Sequence, residues 1–158
     1  MNYVGLEEMA QAEQEKQARI GCRILCCAGT PCLSSGGDRV AQAFKDAVKK
    51  TGIKADVQAV GTGCMGPCSR GPLVSVQSQG QDDVVYECVT TEQAPTLVAQ
   101  HVGVEYGQDS GQSPTRLPTD SPFFAKQQKI VLSSSGLIDP ERLEDAVAHG
   151  AYQGLAYA

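Results

Sequence analysis

At 158 residues the chain has room for one modest core and an appendage. Its net charge of -5 leaves no basic surface for nucleic acid or an anionic membrane. Residues 1–21 are polar and rich in Glu and Gln, with no apolar core of a signal peptide, and no window approaches the roughly 18 apolar residues of a membrane span. An odd number of cysteines, 7, without an export signal fits a reducing cytoplasm.

Taken in order, residues 5–19 are nearly all good helix formers, yet Leu6, Met9, Ala10 and Ala12 make only a thin apolar stripe. Residues 1–19 are therefore expected to be a solvated N-terminal helix. Residues 20–27 predict a first strand that delivers Cys27 to its C-terminal end, with Cys22 and Cys26 read as small buried hydrophobes within it. Val40, Ala43, Phe44, Ala47 and Val48 then fall on one face of a helix running from about residue 36 to Lys50 and stopping at Gly52. A second strand is expected over 55–60, followed by the turn Gly61-Thr62-Gly63. Leu73, Val74 and Val76, then Val84, Val85, Tyr86 and Val89, predict an antiparallel hairpin, and Thr90 or Thr91 caps a last helix bearing Ala94, Leu97 and Val98.

The resulting order, β-α-β-β-β-α over residues 20–102, is an α/β layer. Residues 103–121 have linker composition, with glycines, prolines and polar residues. Beyond it, residues 122–158 hold Phe123, Phe124, Ile130, Val131, Leu132, Leu143 and Val147, more apolar surface than so short a segment can enclose. Asp139-Pro140 is the expected start of a helix within it. This C-terminal extension is expected to be mobile or to dock on a partner.

Two short brackets carry the chemistry. Cys27 and Cys32 are spaced C-x4-C, Cys64 and Cys68 are spaced C-x3-C, and each pair follows a predicted strand, so the two can face each other at one end of a sheet. Sulfur ligands select zinc, copper(I) or iron–sulfur clusters over oxygen-loving cations. Structural zinc favours C-x2-C knuckles, whereas a two-iron cluster spreads four thiolates over two metals and tolerates wider brackets. A [2Fe-2S] site, a zinc-bound structural or docking module and a set of redox or buried thiols all remain open on spacing alone. Neither bracket has the C-x-x-C turn of a thiol–disulfide enzyme.

The runs Cys27-Ala-Gly-Thr-Pro-Cys32-Leu-Ser-Ser-Gly-Gly-Asp and Gly61-Thr-Gly-Cys64-Met-Gly-Pro-Cys68-Ser-Arg-Gly-Pro-Leu-Val resemble the thioredoxin-like [2Fe-2S] ferredoxin domain at the N-terminus of flavin-bearing diaphorase subunits of NAD-reducing hydrogenases. Related domains occur in formate dehydrogenases and respiratory complex I. The run from Pro122 to Leu132, with Gly136-Leu-Ile-Asp-Pro and Gly150-Ala-Tyr-Gln-Gly-Leu, looks like the entry to the flavin domain of such subunits.

The resemblance implies a thioredoxin-like fold and one-electron transfer through a [2Fe-2S] cluster held by Cys27, Cys32, Cys64 and Cys68, with no role for Cys22, Cys26 or Cys88. It implies as partners a flavin-containing, NADH-binding domain or subunit and other iron–sulfur subunits. FMN and NAD would act only through that downstream domain or partner, because no glycine-rich nucleotide segment and no four-iron motif is present in these residues. No complete active site is expected, and the chain reads as an excised N-terminal piece or a separate subunit. Pro31 and Pro67 depart from the family pattern, and each removes a backbone donor.

Overall fold

The computed structural model describes residues 3–52, 57–103 and 114–156. The α/β layer is present. Strands β1 (Cys22–Cys27), β2 (Val57–Thr62), β3 (Val74–Ser78), β4 (Val84–Glu87) and β5 (Thr115–Leu117) form one mixed sheet in the order β2-β1-β3-β4-β5. β1 runs parallel to β2, and the pairs β1/β3, β3/β4 and β4/β5 are antiparallel. Residues 55 and 56 of the expected second strand lie outside the described residues.

Side chains alternate across a strand, and β1 uses both faces. Cys22, Ile24 and Cys26 enter one core, where they meet Val40, Phe44, Ala47 and Val48 of α3 (Gly37–Thr51) and Ala94, Leu97 and Val98 of α4 (Ala94–Val102). The α3 positions recur at i, i+4, i+7 and i+8, the spacing of one helical face. Gly52, with φ 74°, ends that helix in the left-handed conformation glycine adopts without cost. Leu25 and Cys27 point to the opposite face, into a smaller core with Cys32, Val60, Met65, Leu73 and Leu117.

The linker expected over 103–121 is shorter than its composition implies. Thr115 to Leu117 pairs with β4 and extends the sheet, and Leu117 is buried in the second core. Three residues set between polar, proline-containing sequence carry too little periodicity to register as a strand; the open edge of β4 supplies their backbone partners.

The C-terminal extension also differs from expectation: it packs back on the chain. α5 (Pro122–Ala125) places Phe124 against the second core, and α6 (Leu143–Ala148) lies along α1 (Tyr3–Ala18). The helix expected at Asp139-Pro140 begins only at Leu143, and α7 (Gln153–Ala156) follows it.

What holds the extension down is largely polar. Asp145 is fully buried and accepts from the Arg23 guanidinium, from Gln17 Nε2 at 2.9 Å and from the Asp139 N–H at 2.8 Å. Arg142 grips Glu13 of α1 through two bonds of 2.7 and 2.9 Å, the bidentate fork that makes such pairs strong. The N-terminal helix is thus a packed element on one side, with Glu13 only 5% exposed. Ile130, Val131 and Leu132 remain exposed, as the surplus of apolar residues in the extension implied.

The Arg142 guanidinium holds the Glu13 carboxyl at a pKa of about 2, against an ordinary 4.5. A carboxylate whose folded pKa is depressed stabilises the fold above its unfolded value and loses that contribution as pH falls. In iron-free protein, wild type should be more stable than Glu13→Gln near neutrality, and the gap should close between about pH 4.5 and pH 2. Thermal unfolding across that range measures it; a gap that does not change with pH would show that the pair contributes nothing.

Candidate metal centre

Parallel pairing brings the ends of β1 and β2 to one side of the sheet, with Cys27 opposite Thr62. From there both brackets turn outward. The Ala28 N–H donates to the Thr62 carbonyl at 2.8 Å, and the Cys27 N–H donates to Leu73 at 2.9 Å, which fixes the first bracket between two strands. Cys32 sits in the short helix α2 (Thr30–Ser34), whose first turn accommodates Pro31 because an N–H there has no intrahelical partner.

The second bracket is a tight loop. The Cys68 N–H donates to the Gly66 carbonyl at 2.8 Å, and Gly66 takes a φ of 118°, which side chains rarely adopt. Cys68 then opens a 3-10 turn through Arg70, preceded by Pro67 in a position outside the turn. The Cys64 and Cys68 sulfurs stand 3.8 Å apart.

Two glycines let the brackets close on each other. A Cβ on Gly29 would lie 3.2 Å from Cys64 Cβ and 3.5 Å from its sulfur. A Cβ on Gly71 would lie 2.8 Å from Cys32 Sγ, closer than real Cβ atoms approach anything. The first bracket therefore touches the second at Gly29–Cys64, and the chain leaving the second bracket touches the first at Gly71–Cys32.

Burial grades across the four thiols. Cys27 and Cys32 belong to the second core, Cys64 is half-buried and Cys68 is exposed. Burial pushes the Cys32 thiol up to about 11; the Cys27 thiol beside it and the charge of Cys68 push the same way. Cys68 is also raised, chiefly by its hydrogen bond to Cys64, with the charge on Cys27 contributing. The thiolate forms of these residues thus repel one another across both brackets. A soft cationic centre reverses that balance, because a coordinating thiol gives up its proton. An all-sulfur donor set of this kind suits an iron–sulfur cluster. Among the described residues, no three Cys, His, Asp or Glu side chains form a group able to hold a metal ion in the present arrangement.

The other cysteines are elsewhere. Cys22 and Cys26 point from β1 into the helix-covered core, and burial lifts Cys26 to about 12. Cys88 is exposed after β4, with φ 50° and its N–H donating to the Arg70 carbonyl. His101 bonds the Tyr86 hydroxyl at 2.9 Å and His149 ends α6 beside Asp145, so both serve packing.

A model of one family, the thioredoxin-like [2Fe-2S] ferredoxins, matches residues 12–101, more than half of the chain. The chain belongs to the thioredoxin-like [2Fe-2S] ferredoxin family. Its α/β layer is the thioredoxin-like fold, and membership implies electron transfer through a [2Fe-2S] cluster. A ferredoxin of the 2Fe-2S type from Clostridium pasteurianum is 30% identical over 71 residues, which span 45% of this chain and 67% of that protein. The wild-type thioredoxin-like [2Fe-2S] ferredoxin from Aquifex aeolicus is 25% identical, with a TM-score of 0.47 over 53% of this chain and 87% of that one. A second structure of an Aquifex aeolicus thioredoxin-like [2Fe-2S] ferredoxin is 24% identical, with a TM-score of 0.46 over 59% of this chain and 98% of that one. Among the described residues no helix is long and apolar enough to cross a membrane.

Spacing singles out the four cysteines but not Gly29 and Gly71, which let the two brackets approach. Thr62 stands in the sequence as part of a turn. Close backbone approach leaves no periodic trace in a sequence. Gly71→Ala should force a carbon against the buried Cys32 sulfur, costing about 1–3 kcal/mol of stability and lowering cluster content. Gly61→Ala, whose new Cβ would meet only Ala28 Cβ at an ordinary 3.7 Å, should retain the cluster. Visible absorbance per protein and thermal unfolding of both variants give the comparison; equal cluster content would show that the Gly71 contact is not limiting.

Proposed function

We propose that Cys27, Cys32, Cys64 and Cys68 ligate the [2Fe-2S] cluster, and that the chain passes single electrons between it and a flavin-bearing, NADH-binding domain or partner of a cytoplasmic oxidoreductase. The diaphorase of an NAD-reducing hydrogenase is the type of assembly meant, with further iron–sulfur subunits as electron acceptors. The observation that carries the ligand assignment is the close approach of the two brackets: a Cβ on Gly29 would lie 3.2 Å from Cys64 Cβ, one on Gly71 would lie 2.8 Å from Cys32 Sγ, and the Cys64 and Cys68 sulfurs stand 3.8 Å apart.

The bound cluster supplies the one-electron chemistry. The protein's part is to bind and shield it. Cys27 and Cys32 anchor the site in an apolar core that excludes water, while Cys64 and Cys68 stand toward solvent, where a redox partner can approach. Alternation along β1 gives Cys26 no share in this, since reaching the site would require the strand to slip by one residue and turn its whole core face outward.

The support for a flavin-bearing partner is the resemblance of residues 122–157 to a flavin-domain entry, together with the apolar side chains of Ile130, Val131 and Leu132 that remain exposed there. FMN and NAD belong to that domain or partner.

Serine in place of any one of Cys27, Cys32, Cys64 or Cys68 should deplete or perturb the cluster, whereas alanine at Cys22, Cys26 or Cys88 should leave cluster assembly intact. Iron content and EPR of the seven variants decide this. Full occupancy with an unchanged signal in the Cys64 variant, or cluster loss in the Cys88 variant, would contradict the ligand set.

The pure chain should take up and release single electrons but show no NADH-dependent dye reduction and no bound FMN. Activity should appear on adding the flavin-bearing partner. NADH turnover by the chain alone would overturn the division of labour.

A further inference from the structure

The Gly61-Thr62-Gly63 turn does more than lead into Cys64. Thr62 is fully buried and holds three parts of the chain at once. Its carbonyl accepts from Ala28, the residue after Cys27. Its hydroxyl donates to the Ile138 carbonyl at 2.7 Å and accepts from the Gly136 N–H at 3.2 Å.

The neighbouring atoms continue this contact. A Cβ on Gly63 would lie 2.9 Å from Ser135 Oγ, and one on Gly136 would lie 3.5 Å from Met65 Cγ. Residues 135–138 of the C-terminal extension therefore lie directly on the loop that carries Cys64. The same segment is pinned from below by Arg23, which donates to the Leu137 carbonyl at 2.9 Å and pairs with buried Asp145.

We propose that Thr62 is a positioning residue for the cluster, and that residues 135–145 act through it as a strap that fixes the Cys64 loop and so sets the redox properties of the site. The proposal rests on Cys64 being a cluster ligand. Thr62 touches no ligand sulfur in the observed bonds; it acts on Cys64 through the one intervening residue, Gly63. A buried hydroxyl satisfied on both sides fixes its loop, and its loss leaves the Ile138 carbonyl and the Gly136 N–H without their partner. Backbone groups around a cluster help set its potential, so a loop released at Thr62 changes more than stability.

The test compares full-length wild type, Thr62→Val and Thr62→Ser, each loaded with iron and sulfide. Valine keeps the shape and removes the hydroxyl; serine keeps the hydroxyl. Thr62→Val should shift the midpoint potential and the EPR g values and speed loss of the cluster to a chelator by about tenfold, and Thr62→Ser should return all of these toward wild type. A folded, loaded Thr62→Val protein with wild-type potential and EPR overturns the proposal.

Asp145→Asn supplies a second route should Thr62→Val not fold. It weakens the far anchor of the strap without touching either bracket. A shifted potential in that variant supports the strap, and an unchanged potential and EPR signal overturn it. Absence of a cluster from wild type itself would instead remove the ligand assignment beneath the proposal.

Discussion

The parallel pairing of β1 with β2 is the constraint on which the site depends. It sets Cys27 opposite Thr62, so that the two loops leaving those strands emerge side by side although more than thirty residues separate their cysteines. A parallel pair needs a crossover, and α2 and α3 supply it; α3 in turn needs a face to bury, which β1 provides through Cys22, Ile24 and Cys26. The alternation that feeds that core turns Cys27 and Arg23 the other way. One strand thereby supplies a cysteine of the proposed ligand set and the guanidinium that anchors the C-terminal extension.

The two faces of the sheet are held by different physics. On the helix side, Phe44, Ile24, Leu97 and Val98 are fully buried, and each large side chain contributes about 1.5–3 kcal/mol by leaving water. On the other side, charged groups dominate around Asp145, Arg23, Glu13 and Arg142. A buried ion pair is weak as net stability but costly to break from one side, about 3–5 kcal/mol, because a charge is then left without its partner. Such a network specifies one docking position for the extension and tolerates little drift from it. That suits a segment lying on the Cys64 loop.

Much of this was legible in the sequence. The strands, the two long helices of the layer and both cysteine brackets follow from alternation, helical spacing and turn residues, since each of these signals is local. The extension was misjudged for a physical reason. Asp145, Glu13, Arg23 and Arg142 have the composition of solvated surface, and only the tertiary arrangement shows that the buried carboxylates of Asp145 and Glu13 are neutralised by Arg23 and Arg142. β5 was missed because Thr115 to Leu117 forms against an edge already present rather than from its own pattern. Thr62 read as a turn residue because its hydroxyl's partners lie more than seventy residues away.

The most direct test of the account is the metal and sulfide content of anaerobically purified protein, measured together with its EPR spectrum after one-electron reduction. Two irons and two acid-labile sulfides per chain, with a signal that appears on reduction, are the predicted result. Stoichiometric zinc without sulfide in freshly folded protein would contradict it, and the two cysteine brackets would then be a structural metal site.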